Sequence, residues 1–221
     1  MKMRAILQFL AELKENNNRE WFQANRERYQ SGREKILFLT SVFMNEIRKF
    51  DNDIPLMDPA DCLFRIYRDI RFSPDKSPYK THFGSFIARG GFKSQRAGYY
   101  IHIQPGESFL SGGVYMPQPE VLKALRYGIF NQPEELAAIT ENSGFKRLFS
   151  KLEGDKLKNP PKGFPSDFPY LEFLKHKSFY VWTPFSDEDL ASGDFIEKGV
   201  AVFREIHPLN RFLNEIIQQN L

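Results

Sequence analysis

From Arg65 to Tyr79 the chain reads Arg65-Ile66-Tyr67-Arg68-Asp69-Ile70-Arg71-Phe72-Ser73-Pro74-Asp75-Lys76-Ser77-Pro78-Tyr79. Guanidiniums, an ammonium, carboxylates and phenols therefore fall within one short stretch. Arg offers a planar fork that matches phosphate or carboxylate, and Lys adds a compact point charge, so the chemistry this stretch suits is recognition of an anion. In that reading Arg65, Arg68, Arg71 and Lys76 hold the ligand, Asp69 orients one Arg, Tyr79 donates a further hydrogen bond, and Asp75 is a further candidate held beside them. The same inventory also builds an Arg/Asp network that pins a loop to a sheet and binds nothing. Lys76 and Tyr79 can serve as an acid–base pair only where burial and geometry prepare them, and spacing alone does not establish that. Whether the protein is an enzyme, and with what cofactor, is open at this point.

Period-two patterning decides how these groups are presented. In Leu63 to Phe72 the even positions Phe64, Ile66, Ile70 and Phe72 are apolar and the odd positions carry Arg65, Asp69 and Arg71, which predicts a strand with two unlike faces. Arg68 falls on the apolar face, where an unpaired guanidinium is costly, so it requires a carboxylate partner or an opening. Pro74 and Pro78 stiffen the loop that follows and hold Asp75, Lys76 and Tyr79 with little ordering cost. His82 follows the run directly. On the predicted strand Tyr99 to Gln104, His102 shares a face with Tyr100, and that face together with the Arg65 side of the first strand would form a site floor. An ordinary polar-face histidine is the alternative for both His82 and His102.

Other chemistries lack their spacing. The sequence has no HxxxH, HxH or carboxylate cluster with metal-ligand spacing, so no metal is expected. No GxGxxG, GxxxxGK[ST] or GxSxG occurs. The pair Gly112-Gly113 permits either a β-bulge or a close approach of backbone to a ligand.

Helical spacing supplies the flanks. Met3, Ile6, Leu7, Leu10 and Leu13 mark a first helix, Asn16 to Asn18 end it and offer a cap, and Arg33 to Phe50 carries the stripe Ile36, Leu39, Phe43 and Ile47. Strand signals follow at Thr81–Arg89, Tyr99–Gln104 and Phe109–Met116, joined by glycine-bearing turns. Helices return after Pro117: one behind Pro119, one opening at Pro133 and capped by Gly144, and closing helices over 195–206 and 209–217. Ser186 and Ser192 stand at N-cap positions, Ser178 to Trp182 reads as an edge strand, and the proline-rich segment 159–169 is a loop that packs through Phe164 and Phe168. The predicted architecture is α+β: a central antiparallel meander of about four or five strands with N-terminal and C-terminal helices packed on it. A single domain over 1–221 is expected, with a helical part 3–50, a sheet part 62–116 and a second helical part 119–219.

Bulk composition narrows the partner. Net charge is only +3 over 221 residues, yet Arg65 to Arg96 holds eight basic and two acidic residues, a local balance of +6. That concentration leaves two functions open: a pocket for a small anionic ligand, with or without turnover, or a non-catalytic nucleic-acid or protein-binding module using the basic 65–96 patch. The lone cysteine, Cys62, excludes an intrachain disulfide and fits a reducing compartment, so a cytoplasmic location is expected. No run of about 18 apolar residues occurs, and no membrane span is expected.

Beyond these readings, the chain resembles a mainly bacterial, uncharacterised family known as domain of unknown function 2461. The pieces that carry the resemblance are Asn17-Asn18-Arg19-Glu20-Trp21-Phe22, the run Arg65 to Phe72 with Asp75-Lys76, and Tyr79-Lys80-Thr81-His82-Phe83-Gly84. Gly112-Gly113-Val114-Tyr115 and Pro117-Gln118-Pro119 add to it. The resemblance spans nearly the whole chain and implies one full-length domain. It implies no activity, substrate, cofactor or catalytic residue.

Overall fold

A computed structural model describes residues 3–220. Along the chain the elements are α1 (Met3–Glu15), α2 (Arg19–Ala24), α3 (Arg26–Ile47), β1 (Phe83–Ile87), β2 (Gly98–Ile103), β3 (Ser108–Val114), α4 (Pro119–Asn131), α5 (Pro133–Glu141), α6 (Ser143–Phe149), α7 (Leu171–Leu174), β4 (Phe179–Phe185), α8 (Asp187–Ala191) and α9 (Phe195–Asn220). The strands form one antiparallel sheet in the order β1-β2-β3-β4, so the fold is α+β with a central sheet flanked by helices. Among the described residues no helix is long and apolar enough to cross a membrane. The chain divides into two compact units. One holds the chain through Phe92 with Tyr100–Leu110 and Pro184–Ala201; the other holds Lys93–Tyr99, Ser111–Thr183 and the chain from Val202 onward.

In the first unit the apolar stripe of α1, from Met3 to Leu13, is buried, as is the α3 stripe of Ile36, Leu39, Phe43 and Ile47. Asn18 caps α2 by accepting the Trp21 amide at 2.9 Å, which satisfies one of the helix's free donors. Ser186 caps α8 in a capping box with Asp189. Ser192 does not start a helix. It ends α8 and donates its hydroxyl to the Asp189 carbonyl at 2.6 Å.

The expected strand Leu63–Phe72 does not form. Two isolated antiparallel bridges, Leu63 with Ser85 and Tyr67 with Tyr79, stand in its place. The reason is local competition for backbone donors. Asp69 Oδ1 accepts the Arg71 amide at 3.3 Å and Asp75 Oδ1 accepts the Ser77 amide at 2.9 Å, while Pro74 and Pro78 have no amide to give. Phe72, expected on the inner face, is 93% exposed. The fourth strand is instead β4, at the sheet edge where Ser178–Trp182 was expected.

The closing segment is one helix, α9, with Pro208 inside it, where two helices were expected; from Val202 on it belongs to the second unit. An interior proline costs roughly 3 kcal/mol; burial of Phe203, Ile206, Leu209, Phe212, Leu213 and Ile216 on both sides of Pro208 outweighs that cost. Gly144 lies in the first turn of α6 rather than capping α5, because Asn142 accepts its amide at 2.8 Å. The proline-rich loop does pack on its unit: Phe164 and Phe168 place their rings 5.4 and 4.8 Å from Phe130. Gly113 has φ +119 and lies against the Phe179 and Tyr180 backbone. The close approach that the glycine pair permits is thus made by β4.

Candidate functional site

The residues singled out by type and spacing separate into three groups, all in the first unit. The first is a loop that consumes its own charges. Arg68 pairs with Asp75 and donates to the Ser77 carbonyl at 3.1 Å and the Ser73 hydroxyl at 3.3 Å. Asp75 is held down at about 2, chiefly by the Ser77 hydroxyl and amide and then by Arg68. Arg71 grips Asp69 through Nε at 3.0 Å and Nη2 at 2.7 Å, and that contact keeps Asp69 at about 2. Lys76 donates to the Ile70 carbonyl at 3.0 Å. The carboxylate partner that Arg68 requires is therefore present, seven residues along in the same loop.

Tyr79 anchors the end of this loop. Its ring is buried and stacked on Phe22 at 3.9 Å and 14°. Asn17 clamps its backbone from both sides: Nδ2 donates to the Tyr79 carbonyl at 2.9 Å and Oδ1 accepts the Tyr79 amide at 3.1 Å. Nothing in residue type alone ties Asn17 to Tyr79. Because Arg68 holds the loop from inside, Arg68→Met is expected to speed tryptic cleavage after Lys76 several-fold. Limited proteolysis followed by mass spectrometry reads this directly, and an unchanged rate would remove the clamp role.

The second group is a recess of about 360 Å³ lined by Tyr29, Arg33, Leu63, Phe64, Arg65, Ile66, Tyr67, Lys80 and Phe92. Helix α3 places Tyr29 and Arg33 one turn apart on the same face. The extended segment contributes Arg65 and Tyr67, and the returning arm brings Lys80, whose amide donates to the Ile66 carbonyl at 2.8 Å. No carboxylate lines the recess. Among the described residues neither the Arg33 nor the Arg65 guanidinium has a hydrogen bond or an ion pair. The Lys80 ammonium lies over the Phe64 ring, 5.5 Å from its centroid. Burial lowers its pKa, and the Arg65 charge adds to that. Burial raises the Tyr29 pKa, opposed by Arg33. Of the predicted residues only Arg65 reaches this recess. Arg33, Lys80 and Tyr29 were not among the predicted site residues because α3 and the returning arm lie far apart in sequence; the signal was Lys80 directly after the run and Arg33 four residues beyond Tyr29.

The third group lies on the polar face of β2. Gln104 Nε2 donates to Glu107 at 2.8 Å, so its Oε1 faces His102 Nε2 at 3.1 Å and accepts from it. His102 Nδ1 is then the acceptor for the Tyr100 hydroxyl at 3.0 Å. The result is a hydrogen-bonded chain Tyr100–His102–Gln104–Glu107 with both imidazole nitrogens satisfied. The His102 ring stacks on Phe109 at 4.5 Å and 12°, and His82 lies 4.3 Å away on centroids. Burial pushes His82 down to about 4, with His102 and Lys80 adding to the shift. Burial likewise lowers His102, opposed by Gln104 and Glu107. The Phe64 ring packs 6.1 Å from Tyr100, and neither His82 nor His102 lines the recess. Among the described residues no group of three or more metal-ligating side chains gathers.

Two further arginines of the 65–96 window are otherwise engaged. Arg89 is paired with Asp53 at 3.6 Å in the first unit. Arg96 donates to Gln218 at 3.5 Å in the second.

A family model described as a conserved hypothetical protein, DUF2461, matches residues 5–212. No curated protein and no solved structure matches the chain.

Proposed function

Because the chain belongs to the conserved hypothetical family DUF2461, a membership that assigns no reaction, we propose its function from its own side chains: it binds a small anionic ligand in the recess between Arg33, Arg65 and Lys80. The observation that carries this reading is the gathering of cations that make no hydrogen bond or ion pair. Two guanidiniums with neither a hydrogen bond nor an ion pair and a half-buried ammonium line one concavity whose lining includes no carboxylate, although the Asp69 charge is felt by Arg65. Guanidinium forks recognise phosphate or carboxylate in two-point contacts, and partial desolvation strengthens each contact. The neighbouring loop supports the recess by fixing Tyr67 and Lys80, while its own cations are occupied by Asp69 and Asp75.

Thermal unfolding in the presence of inorganic phosphate tests the reading. At about a hundred times the dissociation constant, a ligand that binds only the folded state stabilises it by about 2.7 kcal/mol. Arg65→Met is expected to abolish the rise in melting temperature, and Arg89→Met, whose side chain does not line the recess, to keep it. Arg65 is exposed, so its replacement leaves the fold intact. A rise that persists in Arg65→Met, or its absence from the wild type across phosphate and small carboxylates, would count against the recess.

A further inference from the structure

Resting on that anion site, we infer that its ligand is a phosphate monoester carried on a planar aromatic group, of the class of nucleoside monophosphates. Two features of the recess beyond its charge point there.

The first is the number and kind of donors. Besides Arg33, Arg65 and Lys80, two tyrosines line the recess, Tyr29 and Tyr67, each with a phenol hydroxyl. Among the described residues neither hydroxyl has a hydrogen-bond partner. Five residues that carry donor groups thus line a space of about 360 Å³. A carboxylate has two oxygens to offer them. A phosphate monoester has three terminal oxygens and a charge near −2, which matches forks, ammonium and phenols together.

The second is the aromatic wall. Phe64, Tyr67 and Phe92 line the same recess, and Tyr67 and Phe92 are 52% and 36% exposed. The Phe64 and Phe92 rings stand 5.5 Å apart at 58°, with Lys80 over the Phe64 face. Exposed rings beside unpaired cations suit a ligand with a π-face, because stacking on a ring is worth more once water is displaced. A single small ligand fits better than a polynucleotide. The cations that would track a longer backbone, Arg68, Arg71 and Arg89, are already paired with Asp75, Asp69 and Asp53.

Calorimetric titration at constant ionic strength would compare inorganic phosphate, ribose 5-phosphate, phenyl phosphate and adenosine 5′-monophosphate. The aromatic phosphates are expected to bind about tenfold more tightly than ribose 5-phosphate, the effect of one stacked ring. Phe92→Ala, or Phe92→Leu if the smaller side chain disturbs Phe64, should bring that ratio toward one. Tyr67→Phe should weaken every phosphate several-fold. Equal affinity for ribose 5-phosphate and both aromatic phosphates would overturn the aromatic part and leave the anion site standing. Failure of every phosphate to bind would overturn the anion site itself. Tighter binding of a single-stranded oligonucleotide than of the mononucleotide, with a steep salt dependence, would overturn the small-ligand assignment in favour of nucleic acid.

Discussion

Gly113→Ala is expected to lower the thermal midpoint of the second unit by roughly 10 °C, because a methyl group at this position strikes backbone. A Cβ on Gly113 would stand 2.6 Å from Tyr180 Cα and 3.0 Å from Phe179 C, with the Phe179 carbonyl oxygen closer still. None of these atoms belongs to a flexible side chain, so β4 must move away from β3. The backbone adds its own penalty, since φ is +119 and an L side chain rarely adopts that value. Ser111 shows what is at stake beside it: its hydroxyl donates to the Val181 carbonyl at 2.6 Å, a contact that depends on the spacing of the two strands. Gly106→Ala is the control. Its φ is +70 but nothing lies within 4 Å of a Cβ there, so the expected fall is about 3 °C, the effect of roughly 1 kcal/mol. The fluorescence of Trp182, in the second unit, reads the first variant. Equal midpoints for the two variants would show that the approach of β4 to Gly113 is not what this glycine serves.

Stability is expected to fall steeply as pH drops from about 6.5 toward 4, earlier than carboxylate protonation alone would bring it. His82 and His176 are both depressed to about 4 in the folded protein, first by burial. His82 faces His102 and Lys80, and His176 faces Lys156, whose charge lowers it further, while backbone contacts to Glu153 and Ser178 and the Glu172 charge oppose the shift. Both histidines are neutral in either state above about 6.5, so no stability depends on them there. Below that value the unfolded chain takes up protons that the folded chain refuses. The folded state therefore loses ground until pH falls to the depressed values, by about 3 kcal/mol for each histidine. His102 shifts in the same direction. Asp69 and Asp75, held at about 2, act the opposite way in range: their contribution persists down to about 4 and is lost only below it. Urea midpoints measured from pH 8 to 4 separate the two windows. Trp21 reports the first unit and Trp182 the second, so His82→Gln and His176→Gln should flatten one fluorescence profile each. Midpoints that stay level down to pH 4.5 would mean that the burial of these rings does not control their titration.

Element types and much of their order are legible in the residues alone. Period-3.6 burial fixed α1 and α3, since their stripes have one face to hide. Period-two runs and glycine turns fixed β1 to β3, and Asn18 and Ser186 marked helix starts because only short polar side chains satisfy the first free amides. The run from Arg65 to Tyr79 also required of Arg68 a carboxylate partner or an opening, a requirement set by solvation. Tertiary structure decided where that carboxylate comes from and what the run does. Competition from Asp69, Asp75 and two prolines kept Leu63–Phe72 from joining the sheet, and the resulting loop turned most of its charges on itself. Which cations stay unpaired is a property of three-dimensional neighbours: Arg33 from α3, Arg65 from the extended segment and Lys80 from the returning arm meet without a carboxylate only after the chain folds. No spacing along the sequence encodes that meeting, because the three residues belong to segments brought together by packing of their apolar faces and not by their charges.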